Sequence, residues 1–283
     1  MSRLGPALDV RDYRLWWLAL MGMGVSLQML EVVIGWEVYA QHRSALDLGW
    51  IGLAEFVPMF VLALPAGHLA DRIPRRLIFA GALLVGVAVG IGLALVSGSG
   101  VTALIPYLAL AVGAGTAMAL GTPAARAMSP TLVPKELLQS AMTLRSIATQ
   151  SGQVIGPALG GLLYGTSPSL VYLLAAGVCL AASGTVMAMD PGQAADAVGV
   201  DGASAREPAN LQNLLEGLHF VRRTQILLGA ILLDLLAVLF GGAVALLPIF
   251  ARSILHVGAA GLGVLRAAPA LGALLAAAML TRR

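Results

Sequence analysis

The sequence predicts an all-α protein of about eight membrane-spanning helices, and three observations lead there. Of its 283 residues, 59% are hydrophobic and 11% charged, against about 25% charged in a soluble domain; a water-facing fold cannot bury that much apolar surface. Apolar runs of roughly 20 residues, the length that crosses a bilayer as helix, recur along nearly the whole chain. Arginine and lysine, finally, gather in alternate loops, the bias that sets the cytoplasmic side.

The runs fall near 15–39, 48–70, 77–96, 103–122, 141–164, 170–189, 224–250 and 259–280. Arg3, Arg11 and Arg14 precede the first, which is too long for a signal-peptide core and carries Glu31, so it is read as a retained helix. With the N-terminus in the cytoplasm, the inner segments hold those arginines, then Arg72, Arg75 and Arg76, then Arg126, Lys135 and Arg145, then Arg206, Arg222 and Arg223, and last Arg282 and Arg283. Only Arg43 and Arg252 fall outside, which predicts a multi-pass protein of the plasma (inner) membrane with both ends cytoplasmic. The net charge of +3 therefore belongs to topology. Nucleic-acid binding needs a clustered basic face, and these arginines are dispersed between spans. The single cysteine, Cys179, sits in an apolar run and suits packing, with no disulfide framework or metal-binding pair.

Three regions follow: a six-helix half over 1–189, a linker over 190–223 and two further helices over 224–283. The linker opens Asp-Pro-Gly and ends with Leu211, Leu214, Leu215, Leu218 and Val221 at helical spacing, which suits either an interfacial helix or a solvated connector. At an offset of 211 residues Arg11 falls on Arg222, Gly52 on Gly263 and Pro58 on Pro269, an ungapped match that points to internal duplication.

Two motifs stand out. Gly67-His68-Leu69-Ala70-Asp71-Arg72-Ile73-Pro74-Arg75-Arg76 is expected to form a tight cytoplasmic turn. Its glycine permits close backbone approach, and its carboxylate can cap a helix or pair with an arginine across an interface. In the fifth span Gly152, Gly156 and Gly160 recur every fourth residue, with Pro157 and Gly161 beside them; such a stripe lets another helix pack closely, and the proline removes a backbone bond. The first string resembles the loop signature of the major facilitator superfamily, with Pro74 where glycine is usual; the second resembles its antiporter motif. Arg11-Asp12-Tyr13-Arg14-Leu15-Trp16, Pro123-Ala124-Ala125-Arg126 and Leu132-Val133-Pro134-Lys135-Glu136-Leu137 resemble its enterobactin-exporter and macrolide-efflux branch.

The resemblance implies a major-facilitator-type bundle that exports a drug-like, macrolide-like or siderophore-like organic molecule by proton antiport, without a cofactor. It also implies a conformational latch of Gly67, Asp71, Arg72, Arg75 and Arg76, with Asp71 directed towards Arg126. The superfamily has twelve spans and this sequence stops after eight. Either the chain is truncated, or an eight-span product acts otherwise, as a non-transporting remnant, by self-association, or as a regulatory or assembly partner of a complete carrier.

Ionisable groups within spans are expensive, about 2.5–3.5 kcal/mol at the bilayer centre, and so are functional candidates. Glu31, Glu55 and Asp234 are the proton-coupling candidates, since each could face a water-filled cavity; an Asp234–Arg266 pair holding adjacent helices is the structural alternative. Glu37 is placed at the outer boundary, Gln28, Gln150, Gln153 and Trp36 along the path, and Trp16, Trp17 and Trp50 as interface anchors. An enzyme would need a nucleophile with a base or a metal cluster, yet His42, His68, His219 and His256 are scattered over four loops and no nucleotide-binding glycine-rich motif occurs.

Overall fold

The computed structural model describes residues 5–190, 222–240 and 242–280, the side chains of 63–72, 231, 234–240, 242–243 and 274–280 excepted. Among the described residues the elements are helical: α1 (Arg11–His42), α2 (Ala45–Arg72), α3 (Arg75–Gly98), α4 (Leu104–Met128), α5 (Leu138–Tyr164), α6 (Pro168–Met187), α7 (Gln225–Phe240) and α8 (Ala259–Leu280). The expected linker, with its amphipathic segment, lies outside the described residues save for its ends.

Helix ends follow local chemistry. Arg43 takes the left-handed conformation, φ 55°, and its N–H reaches the Tyr39 carbonyl, ending α1. Pro74 precedes α3 and lacks the N–H that would continue α2. The Gly67 to Arg72 string therefore belongs to the last turns of α2, and only Ile73 and Pro74 break the chain. This corrects the expectation of a turn across the whole motif.

Among the described residues, five helices are long and apolar enough to cross a membrane, over Arg11–His42, Ala45–Leu62, Arg75–Gly98, Leu104–Thr131 and Pro168–Met187. Helix α5 has the length, at 27 residues, but Gln139, Arg145, Gln150 and Gln153 interrupt its apolar surface. The expected seventh span is not one helix. After α7, of 16 residues, the chain passes through a 3-10 segment (Gly242–Leu246), a helical turn (Leu247–Ile249) and a π turn (Phe250–Ile254). Gly242 and Pro248 lie inside this stretch, and both disfavour a continuous helix.

In the packing, α1 is the central element. It lies against α5 and α6, while α3 packs on α4 and α6, α2 on α4, and α8 on α5. Two apolar clusters fill the six-helix unit. One, near the start of α1, gathers Trp16, Phe79, Leu83, Met128 and Leu144; the other, near its end, gathers Leu30, Ile34, Leu93, Tyr107 and Tyr172. A third joins α1 to the later segment through Val32, Trp36, Ala251, Ala259 and Leu262. Because lipid is as apolar as leucine, association inside a bilayer relies on close packing and inter-helix hydrogen bonds. Tyr13 Oη donates to the Ala141 carbonyl at 2.6 Å, Trp17 Nε1 to Leu144 at 2.7 Å and Ser26 Oγ to Ala175 at 2.8 Å. Trp16 is wholly buried and donates to the Ala125 carbonyl at 3.2 Å. Trp16 and Trp17 thus tie α1 to α4 and α5 instead of anchoring at a membrane interface; Trp50 is half-exposed, at 48%.

Candidate functional site

A cavity of about 440 Å³ lies between α1, α4 and α5. Its apolar wall is Trp16, Leu20, Met23 and Leu27 of α1 with Met118 of α4. Its polar wall is Gln28 of α1, Thr122 and Arg126 of α4, and Arg145, Ser146, Thr149, Gln150 and Gln153 of α5. The polar positions that interrupt α5 thus converge on one concavity, the arrangement expected of a small-molecule site. Gln28, Gln150 and Gln153 lie where the sequence suggested a path. Trp36 does not; it is buried in the third apolar cluster, with the Arg252 guanidinium 5.5 Å from its ring centroid.

Beside the cavity, Arg266 of α8 donates through Nη2 to Glu31 Oε1, and Gln28 Nε2 donates to Glu31 Oε2 at 3.1 Å. Arg266 is nearly buried, its side chain 10% exposed, while Glu31 is 36% exposed. Arg266 thus has Glu31 as a partner, α8 lying on the α1 and α5 side of the bundle; the Asp234 side chain, and with it the expected Asp234–Arg266 pair, lies outside the described residues. Glu55 of α2 feels the charges of both Glu31 and Arg266. Two candidate acids on different helices therefore share one electrostatic neighbourhood.

Gly67, Asp71 and Arg72 lie outside the described side chains, so the Asp71 half of the latch does too. Its other members are placed. Arg75 Nη1 donates to the Ala127 carbonyl at 3.2 Å, Arg76 Nε to Val186 at 3.0 Å and Arg76 Nη2 to Met187. Both arginines cap the C-terminal ends of neighbouring helices, where carbonyls lack intrahelical partners and the dipole favours a cation. Arg126 is exposed on the cavity wall.

The glycine string of α5 has two faces. A Cβ on Gly156 would stand 2.5 Å from Gln28 Cβ, one on Gly152 3.0 Å from the Gly24 backbone and one on Gly160 3.2 Å from Met29. All three face α1. Gly161 instead meets the Ala259 carbonyl and Gly263, and Gly263 meets the Pro157 carbonyl, so the second face holds α8.

Glu37 was missed. It is 5% exposed. Tyr172 Oη and Ser97 Oγ each donate to it at 2.6 Å, and Gln41 Nε2 at 3.5 Å; Gln41 also reaches Tyr107 Oη at 3.3 Å. Helix periodicity puts Glu37 at a depth but does not say which helices surround it, and two of its three partners come from α3 and α6.

A model of the Major Facilitator Superfamily matches residues 16–283. The chain is similar to Enterobactin exporter EntS of Citrobacter koseri, 30% identical over 256 residues that cover 88% of this chain and 58% of that protein. Proteins of the same name from Shigella boydii serotype 18 and Escherichia coli O1:K1 are 31% and 30% identical over 260 residues, covering 89% of this chain and 59% of theirs. The chain thus spans less than two thirds of the length of these curated relatives.

Proposed function

The chain belongs to the major facilitator superfamily, and from that premise we propose that it takes part in proton-coupled export of a small organic molecule across the plasma membrane, with its N-terminus in the cytoplasm. The observation that carries the reading is the cavity between α1, α4 and α5, where glutamines, hydroxyls and arginines converge within an otherwise apolar bundle. The relatives' names make a siderophore-like molecule the first substrate to test, ahead of macrolide-like or other drug-like compounds.

Coupling is assigned to the Glu31–Arg266 pair. Ionised Glu31 holds α1 to α8; a proton arriving on it removes the charge that Arg266 answers, and the ion pair weakens. Gln28 bonds Glu31 and also lines the cavity, so the same event alters the wall that meets substrate. Glu55, in reach of both charges, is the alternative acceptor, and Asp234 the third. In one of the carrier's two states Asp71 would engage Arg126, with Gly67 and Arg72 completing the latch while Arg75 and Arg76 keep α4 and α6 capped.

The test uses the full chain in proteoliposomes with a pH gradient, following substrate and proton flux together. Substrate-dependent proton movement is expected in the wild type, falling at least ~10-fold in Glu31→Gln or Glu55→Gln, as for loss of a group that moves a proton. Proton movement unaffected by substrate would remove the proton-coupled reading, and absence of substrate flux the transport reading. Equal flux in both variants would remove these two carboxylates and leave Asp234→Asn as the next measurement.

A further inference from the structure

The cavity's charges are one-sided. Arg126 and Arg145 both line it, and no Asp or Glu is among its lining residues. Neither arginine has an ion-pair partner among the described residues. Glu31, which reaches the wall through Gln28, is already answered by Arg266. Nor do the two arginines cap helix ends in the way that Arg75 and Arg76 do. Arg145 stands two turns inside α5 and Arg126 in the last turn of α4, on facing sides of one concavity. We propose, resting on the transport reading above, that this cavity is an organic-anion site: Arg126 and Arg145 bind the acidic group, while Trp16, Met23 and Met118 receive an apolar body.

The physical case is selectivity by charge. A guanidinium binds a carboxylate, acidic phenolate or sulfonate through short, charge-assisted hydrogen bonds, and two cations in a low-dielectric concavity raise the local concentration of anions. The same pair repels a cationic ligand such as an amino-sugar macrolide. Among the substrates consistent with the family, the site therefore favours acids and disfavours amines.

The test is binding to the full chain in nanodiscs, with empty nanodiscs subtracted, using pyrene-1-butyrate and its neutral amide as probes and energy transfer from tryptophan as the signal. The acid is expected to bind about 10-fold tighter than the amide, the size of one charge-assisted hydrogen bond, with the preference shrinking as salt rises. Arg126→Gln and Arg145→Gln should each remove most of that preference, while Arg126→Lys and Arg145→Lys retain part of it. Equal affinity of acid and amide, binding of neither, or an acid affinity untouched by both glutamine substitutions together would overturn the proposal. The wild-type ratio needs no variant, so misfolding of a variant leaves the test intact. Acid preference without export would sink the transport reading and keep the site; export without acid preference would do the reverse.

Discussion

Glu37 shows what a single side chain contributes to this bundle. Its carboxylate accepts from a tyrosine, a serine and a glutamine drawn from α6, α3 and α1 itself, which knits the end of the six-helix unit farther from Arg11, where apolar contacts alone give little net attraction. Glu37→Gln puts an amide donor among those donors. The expected cost is about 1–3 kcal/mol, that of leaving buried groups unmatched, read as a lower unfolding temperature in detergent; Tyr172→Phe should lie between that variant and wild type. A melting temperature unchanged by Glu37→Gln would mean the network carries no stability. The residue scale was also the least legible in sequence. Glu31, Gln28, Gln150 and Gln153 were identified as polar interruptions in apolar runs, but partners cannot be read from spacing. Glu31 meets Arg266 more than two hundred positions later, and Arg75 and Arg76, singled out as part of a latch, also cap α4 and α6.

For helices, α5 is the element whose sequence said most. Glycines at every fourth position predicted a smooth stripe, and the stripe is there, divided between α1 and α8. Which helices would use it was not legible, because a stripe of hydrogens has no chemical preference for a neighbour. Gly156→Ala would set a methyl 2.5 Å from Gln28 Cβ, and Gly161→Ala would drive one into the Ala259 carbonyl. Gly177, on α6, has nothing within 4 Å of an added Cβ. Gly156→Ala and Gly161→Ala should each cost about 1–3 kcal/mol by overpacking, whereas Gly177→Ala should be neutral or slightly stabilising through helix propensity. The ranking is measured by thermal denaturation of the three variants in one detergent, and Gly177→Ala as the worst of them would contradict the assigned faces. Element boundaries were less legible. The seventh run was read as one span because its hydropathy is uniform, and Gly242 and Pro248, visible in the sequence, marked the breaks that hydropathy averaging hides.

Across the whole molecule, composition and run length were enough for an all-α multi-pass membrane protein, and the loop motifs were enough for the superfamily. The cavity was only half legible: its polar residues were visible, but their convergence depends on how α1, α4 and α5 cross. The proposed orientation can be tested with cysteine chemistry, since Cys179 is 1% exposed and donates to Ser26 Oγ at 3.1 Å, so a membrane-impermeant maleimide should leave it untouched. Ser99→Cys, between α3 and α4, should then label from outside intact cells, and Lys135→Cys only after the membrane is opened. The reverse pattern would invert the topology. One further consequence comes from where α1 is fastened to the later segment. Glu31 binds Arg266, Trp36 lies under Arg252, Tyr39 Oη bonds Ser253 Oγ at 2.8 Å, and Gly35 abuts Pro248. All of these ties fall in the second half of a helix that begins at Arg11. Such fastening makes a fulcrum with unequal arms: at 1.5 Å per residue, a tilt of about 10° around Gly35 carries the Arg11 end through ~6 Å, roughly one helical turn, while the short arm beyond Tyr39 scarcely moves.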